Sequence, residues 1–138
     1  MSFDFSSLIT DRTQADVSNK TNKGFYGADD LNRVSAAVEY IVELLLKEGY
    51  VVPVKIKKDW QESDYPTRTE LESYRQNIVA LRDAIAVMKS TPPTPESMIG
   101  LDYIGANTIE QILVDIDFLI PKMKQSKFFS GDLYSAEI

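Results

Sequence analysis

Three stretches of the chain carry apolar residues at alternating spacings of three and four, the repeat of one face of an α-helix. The first runs from about Ala28 to Glu48, with Leu31, Val34, Val38, Ile41 and Leu45 on the stripe and Ala37, Val42 and Leu46 widening it. Asp29 and Asp30 stand in its first turn, where the helix dipole favours acids. Gly49 follows the last periodic residue, the usual place of a C-terminal cap. The second runs from about Arg68 to Lys89 through Leu71, Tyr74, Ile78, Leu81, Ile85 and Met88, and Thr67 and Glu70 have capping-box spacing just after Pro66. The third runs from about Ala106 to Lys124 through Ile109, Ile112, Ile116, Leu119 and Met123, with Leu113 and Ile120 alongside. Pro121 lacks a backbone donor and is expected to kink or end this helix.

The segments between are less regular. Asp11 to Asn19 reads as a brief helix capped by Thr10, ahead of a turn around Gly24 and Gly27. In Tyr50–Lys58, Val52, Val54 and Ile56 alternate with Lys55 and Lys57, which is strand periodicity; Pro53 restricts it to an edge or irregular strand. Thr91-Pro92-Pro93-Thr94-Pro95 is a stiff extended spacer. The last stretch, Lys127 to Ile138, is expected to pair with the earlier strand or dock on another chain. The pattern predicts a mainly α fold: a three-helix antiparallel bundle with a short edge strand or hairpin and an extended C-terminal segment. Its 138 residues suit a single domain, with residues 1–27 as an N-terminal arm and 126–138 as a tail or strand.

Composition narrows the chemistry. There is no cysteine, so disulfides, thiolate metal sites and cysteine nucleophiles are excluded. There is no histidine, which removes the usual base, metal ligand and neutral-pH switch. Fifteen basic residues against twenty-one acidic ones give a net charge of −6, which disfavours nucleic acid and anionic membrane surfaces as partners. Met1 to Thr10 has neither a basic region nor a long apolar run, so no secretory signal is expected, and no segment is long enough to span a bilayer.

The remaining candidates for chemistry each have a plain structural explanation. Asp11, Asp16, Asp29 and Asp30 form the densest acidic cluster, but their spacing matches no calcium loop and helix starts favour acids. Arg33 and Arg82 are expected to pair with acids such as Glu39, Asp83 or the N-terminal aspartates. Lys55, Lys57 and Lys58, and Lys122, Lys124 and Lys127, read as solvated edges. No phosphate loop, nucleophile elbow or paired metal motif occurs, so no catalytic, cofactor or metal site is expected. An enzyme working through paired carboxylates is the weakest of three function classes. Trp60, Tyr65 and Tyr103 lie in loops beside helix ends, and with Phe128, Phe129 and Tyr134 they form the candidate interaction surface, since Trp and Tyr are enriched in binding hot spots.

The order of these features resembles a family of bacteriophage and prophage structural proteins of Gram-positive bacteria. The resemblance lies in Asp11-Arg12-Thr13-Gln14-Ala15-Asp16-Val17, in Tyr26 with Ala28 and Asp30-Leu31-Asn32-Arg33-Val34, and in Ala37-Val38-Glu39-Tyr40 closed by Gly49-Tyr50. It continues through Asp59-Trp60, Pro66-Thr67, Tyr74 with Asn77, Leu81-Arg82, Ser97-Met98 and Ala106-Asn107. Ile109-Glu110, Ile112-Leu113 and Phe129-Ser130-Gly131-Asp132-Leu133-Tyr134 complete it, so it covers nearly the whole chain. The family often has a longer insert ahead of the Tyr-x-Ala segment, where this chain has only Ser18 to Phe25. The resemblance implies a non-enzymatic, tail-associated virion protein, made in the bacterial cytoplasm. Docking to other virion proteins and self-association, with a homo-oligomer as one form, are expected from the heptad-like stripe of the second helix and the aromatic C-terminus, and no cofactor is expected. The competing expectation is a module that binds a glycan or protein of the host surface.

Overall fold

The computed structural model describes residues 3–85 and 90–137, apart from the side chains of residue 22 and residues 124–137. It is mainly helical, with α1 at Gln14–Ser18, α2 at Ala28–Lys47, α3 at Arg68–Ala84 and α4 at Tyr103–Glu137. The three long helices all touch one another. Their shared core takes Val34, Val38, Ile41 and Leu45 from α2, Tyr74, Ile78 and Leu81 from α3, and Ile109, Ile112, Leu113 and Ile116 from α4. Each such side chain contributes roughly 1.5–3 kcal/mol by leaving water.

Local chemistry sets the helix ends. At the start of α2 the Asp30 carboxylate accepts the Gly27 N–H at 2.8 Å. At its end Gly49 takes φ +90°, Tyr50 N–H reaches the Leu45 carbonyl and Gly49 N–H the Leu46 carbonyl, a Schellman closure that needs the left-handed residue. Thr67 and Glu70 cap α3 reciprocally, at 3.1 and 3.0 Å. Asp102 caps α4 by accepting the Gly105 N–H at 2.7 Å.

Several expectations are corrected. The first short helix is capped by Thr13, not Thr10, because Thr13 and Asp16 satisfy each other's backbone N–H groups in a capping box. α3 ends at Ala84, and Ile85 turns extended and buried; residues 86–89 of the expected helix lie outside the described residues. Arg82 donates to the carbonyls of Thr91 and Pro92 at 3.1 Å each, drawing the proline loop back over this end. Pro121 does not end α4, which runs on as helix to Glu137 in place of an extended C-terminal segment. The proline leaves the Asp117 carbonyl without its helical donor.

No strand occurs among the described residues. The alternation at 50–58 is nevertheless present: Val52, Val54 and Ile56 turn inward, while Val51, Pro53, Lys55 and Lys57 are exposed. The place of a partner strand is taken by a side chain. Asn77 of α3 accepts the Lys55 N–H at 2.9 Å and donates to the Lys55 carbonyl at 2.8 Å. An asparagine amide holds a donor and an acceptor side by side, so it can satisfy both backbone groups of one extended residue. Asn32 of α2 does the same for Trp60, at 2.9 Å each, and Asn107 of α4 for Arg12, at 3.0 Å each. Each long helix thus fastens one irregular segment by one amide.

Candidate functional site: a buried charge lock and an aromatic groove

The N-terminal arm is held by charge. Arg12 is 4% exposed and Glu110 is fully buried. The Arg12 guanidinium reaches Glu110 at 2.6 Å, Asp30 at 3.1 Å and the Ile9 carbonyl at 2.9 Å. Arg33 approaches the same carboxylates from α2, Glu110 at 2.9 Å and Asp30 at 2.6 Å. Ile9 N–H completes the set by donating to Glu110 at 3.0 Å. Two cations face two anions, so the lock carries no net charge and nearly every lone pair in it is used, the conditions under which buried ions are tolerated. Among the described residues, Arg12 Nε is the one buried side-chain polar atom with no hydrogen bond. The Tyr26 ring lies 5.4 Å from the Arg12 guanidinium. Burial opposes the charge on Arg33, but its bonds to Glu110 and Asp30 outweigh that and hold the guanidinium firmly protonated.

Behind the lock, the Tyr26 and Tyr74 hydroxyls are hydrogen-bonded to each other. Burial pushes both phenols above their ordinary ionisation range. The neighbouring carboxylates Glu110 and Asp30 push the same way.

The lock was not anticipated, although the sequence carried a signal. Glu110 stands four residues after Ala106 and three before Leu113, on the apolar stripe itself. An acid in that position needs a buried cation or hydrogen-bond donors to hold it. Of the expected arginine pairings, Arg33 does meet one of the N-terminal aspartates, Asp30, whereas among the described residues Arg82 bonds carbonyls and no acid. The four aspartates separate into different roles: Asp11 pairs with Lys23 at 2.9 Å, Asp16 caps α1, Asp30 joins the lock and Asp29 is exposed. Among the described residues no group of three acidic side chains is placed to hold a metal ion. Lys57 pairs with Asp59 at 2.9 Å and Lys58 with Glu39 at 2.5 Å.

The aromatic candidates divide. Trp60 is 8% exposed, fixed by Asn32, with the Lys57 ammonium 4.5 Å from its ring centre. Tyr65 is 92% exposed. Both line a groove of about 570 Å³ together with Phe25, Tyr26, Glu62 and Asp64. Phe25, 70% exposed, went unnoticed in the sequence because it sits outside any helical stripe. Its ring occupies the space a Cβ at Gly27 would need, 2.4 Å away. Tyr103 is half-buried as the first residue of α4 and does not line this groove; the side chains of Phe128, Phe129 and Tyr134 lie outside the described residues. A second groove, of about 600 Å³, runs between Pro53–Lys55 and the Arg68, Glu72 and Gln76 side of α3.

No family model, curated protein or solved structure matches this chain. Among the described residues no helix is long and apolar enough to cross a membrane.

Proposed function

We propose that the chain is a non-enzymatic structural protein of a phage or prophage virion, tail-associated, which acts through assembly contacts with other virion proteins and with copies of itself. The resemblance running along nearly the whole sequence is the source of the virion assignment. The observation that carries an assembly role is the pair of exposed rings, Tyr65 and Phe25, flanking one groove on a frame in which Arg12, Arg33, Asp30 and Glu110 are spent on one another. Exposed aromatic side chains over a partly apolar groove are the usual anchors of protein contacts. In this reading α2, α3 and α4 form a three-helix bundle, and the N-terminal arm is locked across it. The protein is made in the bacterial cytoplasm and ends in the particle.

The test has two parts. Purified particles from the encoding phage or prophage are probed by mass spectrometry and by immunogold labelling for this chain, and the purified chain is followed by sedimentation velocity across a concentration series. The chain is expected in the particle at fixed stoichiometry. Its absence from particles overturns the proposal, and a strictly monomeric chain at high concentration removes the self-association part.

A second reading, a module binding a host-surface glycan or protein, is favoured by the exposure of Tyr65. Burial of Trp60 under Lys57 and Asn32 takes away one of the rings a sugar would stack on. A glycan array that stays blank removes the glycan form of this reading.

A further inference from the structure

We infer that the groove between residues 25–31 and 60–66 docks a basic side chain, arginine above all, carried on an apolar segment of a partner protein. The assembly proposal supplies the idea that the partner is a protein; the chemistry of the contact comes from the groove. Its charged lining residues, Glu62 and Asp64, are both acidic, and no lysine or arginine lines it. Asp64 accepts the Gln61 N–H at 2.8 Å, which fixes the carboxylate in the lining. Glu62 has no hydrogen bond or ion pair among the described residues and borders a second hollow that also contains Asp29. Lys23 and Arg33 line that hollow as well, but Lys23 is paired with Asp11 and Arg33 with Asp30 and Glu110, so among the described residues no ion pair compensates Glu62.

The walls favour a cation of a particular kind. Phe25, Tyr26, Trp60 and Tyr65 all line the groove, and the exposed faces of Phe25 and Tyr65 are of the kind that attracts ammonium and guanidinium groups. Among the described residues cations already settle on rings three times, Arg12 on Tyr26, Lys57 on Trp60 and Lys122 on Phe118. The rings of Tyr65 and Phe25 have no such cation among the described residues and are the two most exposed in the groove. A guanidinium can stack on Tyr65 or Phe25 while forming a two-pronged hydrogen bond to Glu62, which a compact ammonium does less well. Leu31, Ala28 and Pro66 along the same groove suit apolar residues beside the arginine. A hollow of this size holds one long side chain with its neighbours.

The test uses the full chain as bait for a random dodecapeptide library, followed by affinity measurements on the selected peptides, with Trp60 emission as the reporter because it is the single tryptophan and lines the groove. Selected peptides are expected to carry Arg, and less often Lys, beside apolar residues. Their affinity is expected to fall about tenfold for Glu62→Gln and for Tyr65→Ala, and not for Val51→Ala, an exposed residue away from the groove. Circular dichroism confirms that each variant keeps its helices. Neutral or acidic winners overturn the inference, as do winners indifferent to both substitutions. Tetramethylammonium shifting Trp60 emission when no peptide does also overturns it, and assigns the groove to a free quaternary ammonium. Particles that incorporate the Tyr65→Ala chain normally leave the assembly proposal standing and defeat this contact alone.

Discussion

Replacing Arg12 by methionine tests the lock directly. The substitution keeps most of the buried stem and removes the guanidinium that bonds Glu110, Asp30 and the Ile9 carbonyl. Two carboxylates then face Arg33 alone, and one negative charge is left in a site that is closed to water on the Glu110 side. Breaking a buried ion pair in this way costs about 3–5 kcal/mol, a large share of the roughly 5–15 kcal/mol that holds a typical domain together. At a urea slope of about 2 kcal/mol/M the unfolding midpoint should drop by about 2 M, read by far-ultraviolet circular dichroism and by Trp60 fluorescence. The double substitution Arg12→Met with Glu110→Leu removes one charge of each sign and leaves Arg33 on Asp30. It should recover a good part of the loss, because an apolar pair can replace a buried ion pair at little cost. Recovery stays partial, since the Ile9 N–H loses its acceptor. The coupling in this cycle should be about 2 kcal/mol or more. A single variant within about 0.5 kcal/mol of the parent, or a double variant costing the sum of the singles, would refute the reasoning. Either result would mean that water, and not the carboxylates, solvates the guanidinium.

Three further outcomes are expected. Asn77→Ala should destabilise by about 1–3 kcal/mol, because the Lys55 N–H and carbonyl lose their partner, and hydrogen exchange should quicken at Lys55 first. Pro121→Ala restores the donor opposite the Asp117 carbonyl and should raise stability by about 1–3 kcal/mol in a thermal melt; a loss would show that the helix needs the bend a proline imposes. Tyr26 and Tyr74 ionise above their ordinary range in the folded chain, so their contribution is complete below the unfolded phenol value of about 10 and is lost as pH rises through the raised folded values. Absorbance titration should show two of the seven tyrosines ionising only with unfolding, and Tyr26→Phe with Tyr74→Phe should flatten the alkaline loss of stability.

The legibility of this fold in the sequence follows the range of the interactions involved. The span of α2 was readable to within a residue because its stripe, its acidic first turn and its Gly49 closure are all local. The start of α3 was equally readable from the Thr67–Glu70 spacing, while its end was not, because Arg82 and the proline loop act there from ten residues away. The inward turn of Val52, Val54 and Ile56 was visible, but a strand was inferred because alternation does not reveal what will satisfy the backbone. Here an asparagine 22 residues on does so, and Asn107 reaches back 95 residues to Arg12. Of the interaction candidates, Trp60 and Tyr65 do share a groove, but a loop tryptophan looks the same in sequence whether it is a lid or an anchor. Only the Asn32 clamp makes it a wall.

The lock and the groove are parts of one arrangement. One Asp30 oxygen is held by Arg12 and Arg33, and the other accepts the Gly27 N–H, which places Phe25 over the glycine. Two residues along α2, Asn32 fixes the backbone of Trp60, which lines the same groove. Both parts of the lining are therefore hung on a single turn of one helix, and the ordering cost a partner would otherwise meet is met during folding. The two parts depend on that turn differently. Loosening Asp30 through Arg12→Met acts on the Phe25 side and leaves the Asn32–Trp60 clamp intact, whereas Asn32→Ala frees Trp60 and leaves the charges paired. The Phe25 side of the proposed docking groove is therefore rigid only while the arm is locked, which links the buried Arg12 to the groove through Asp30.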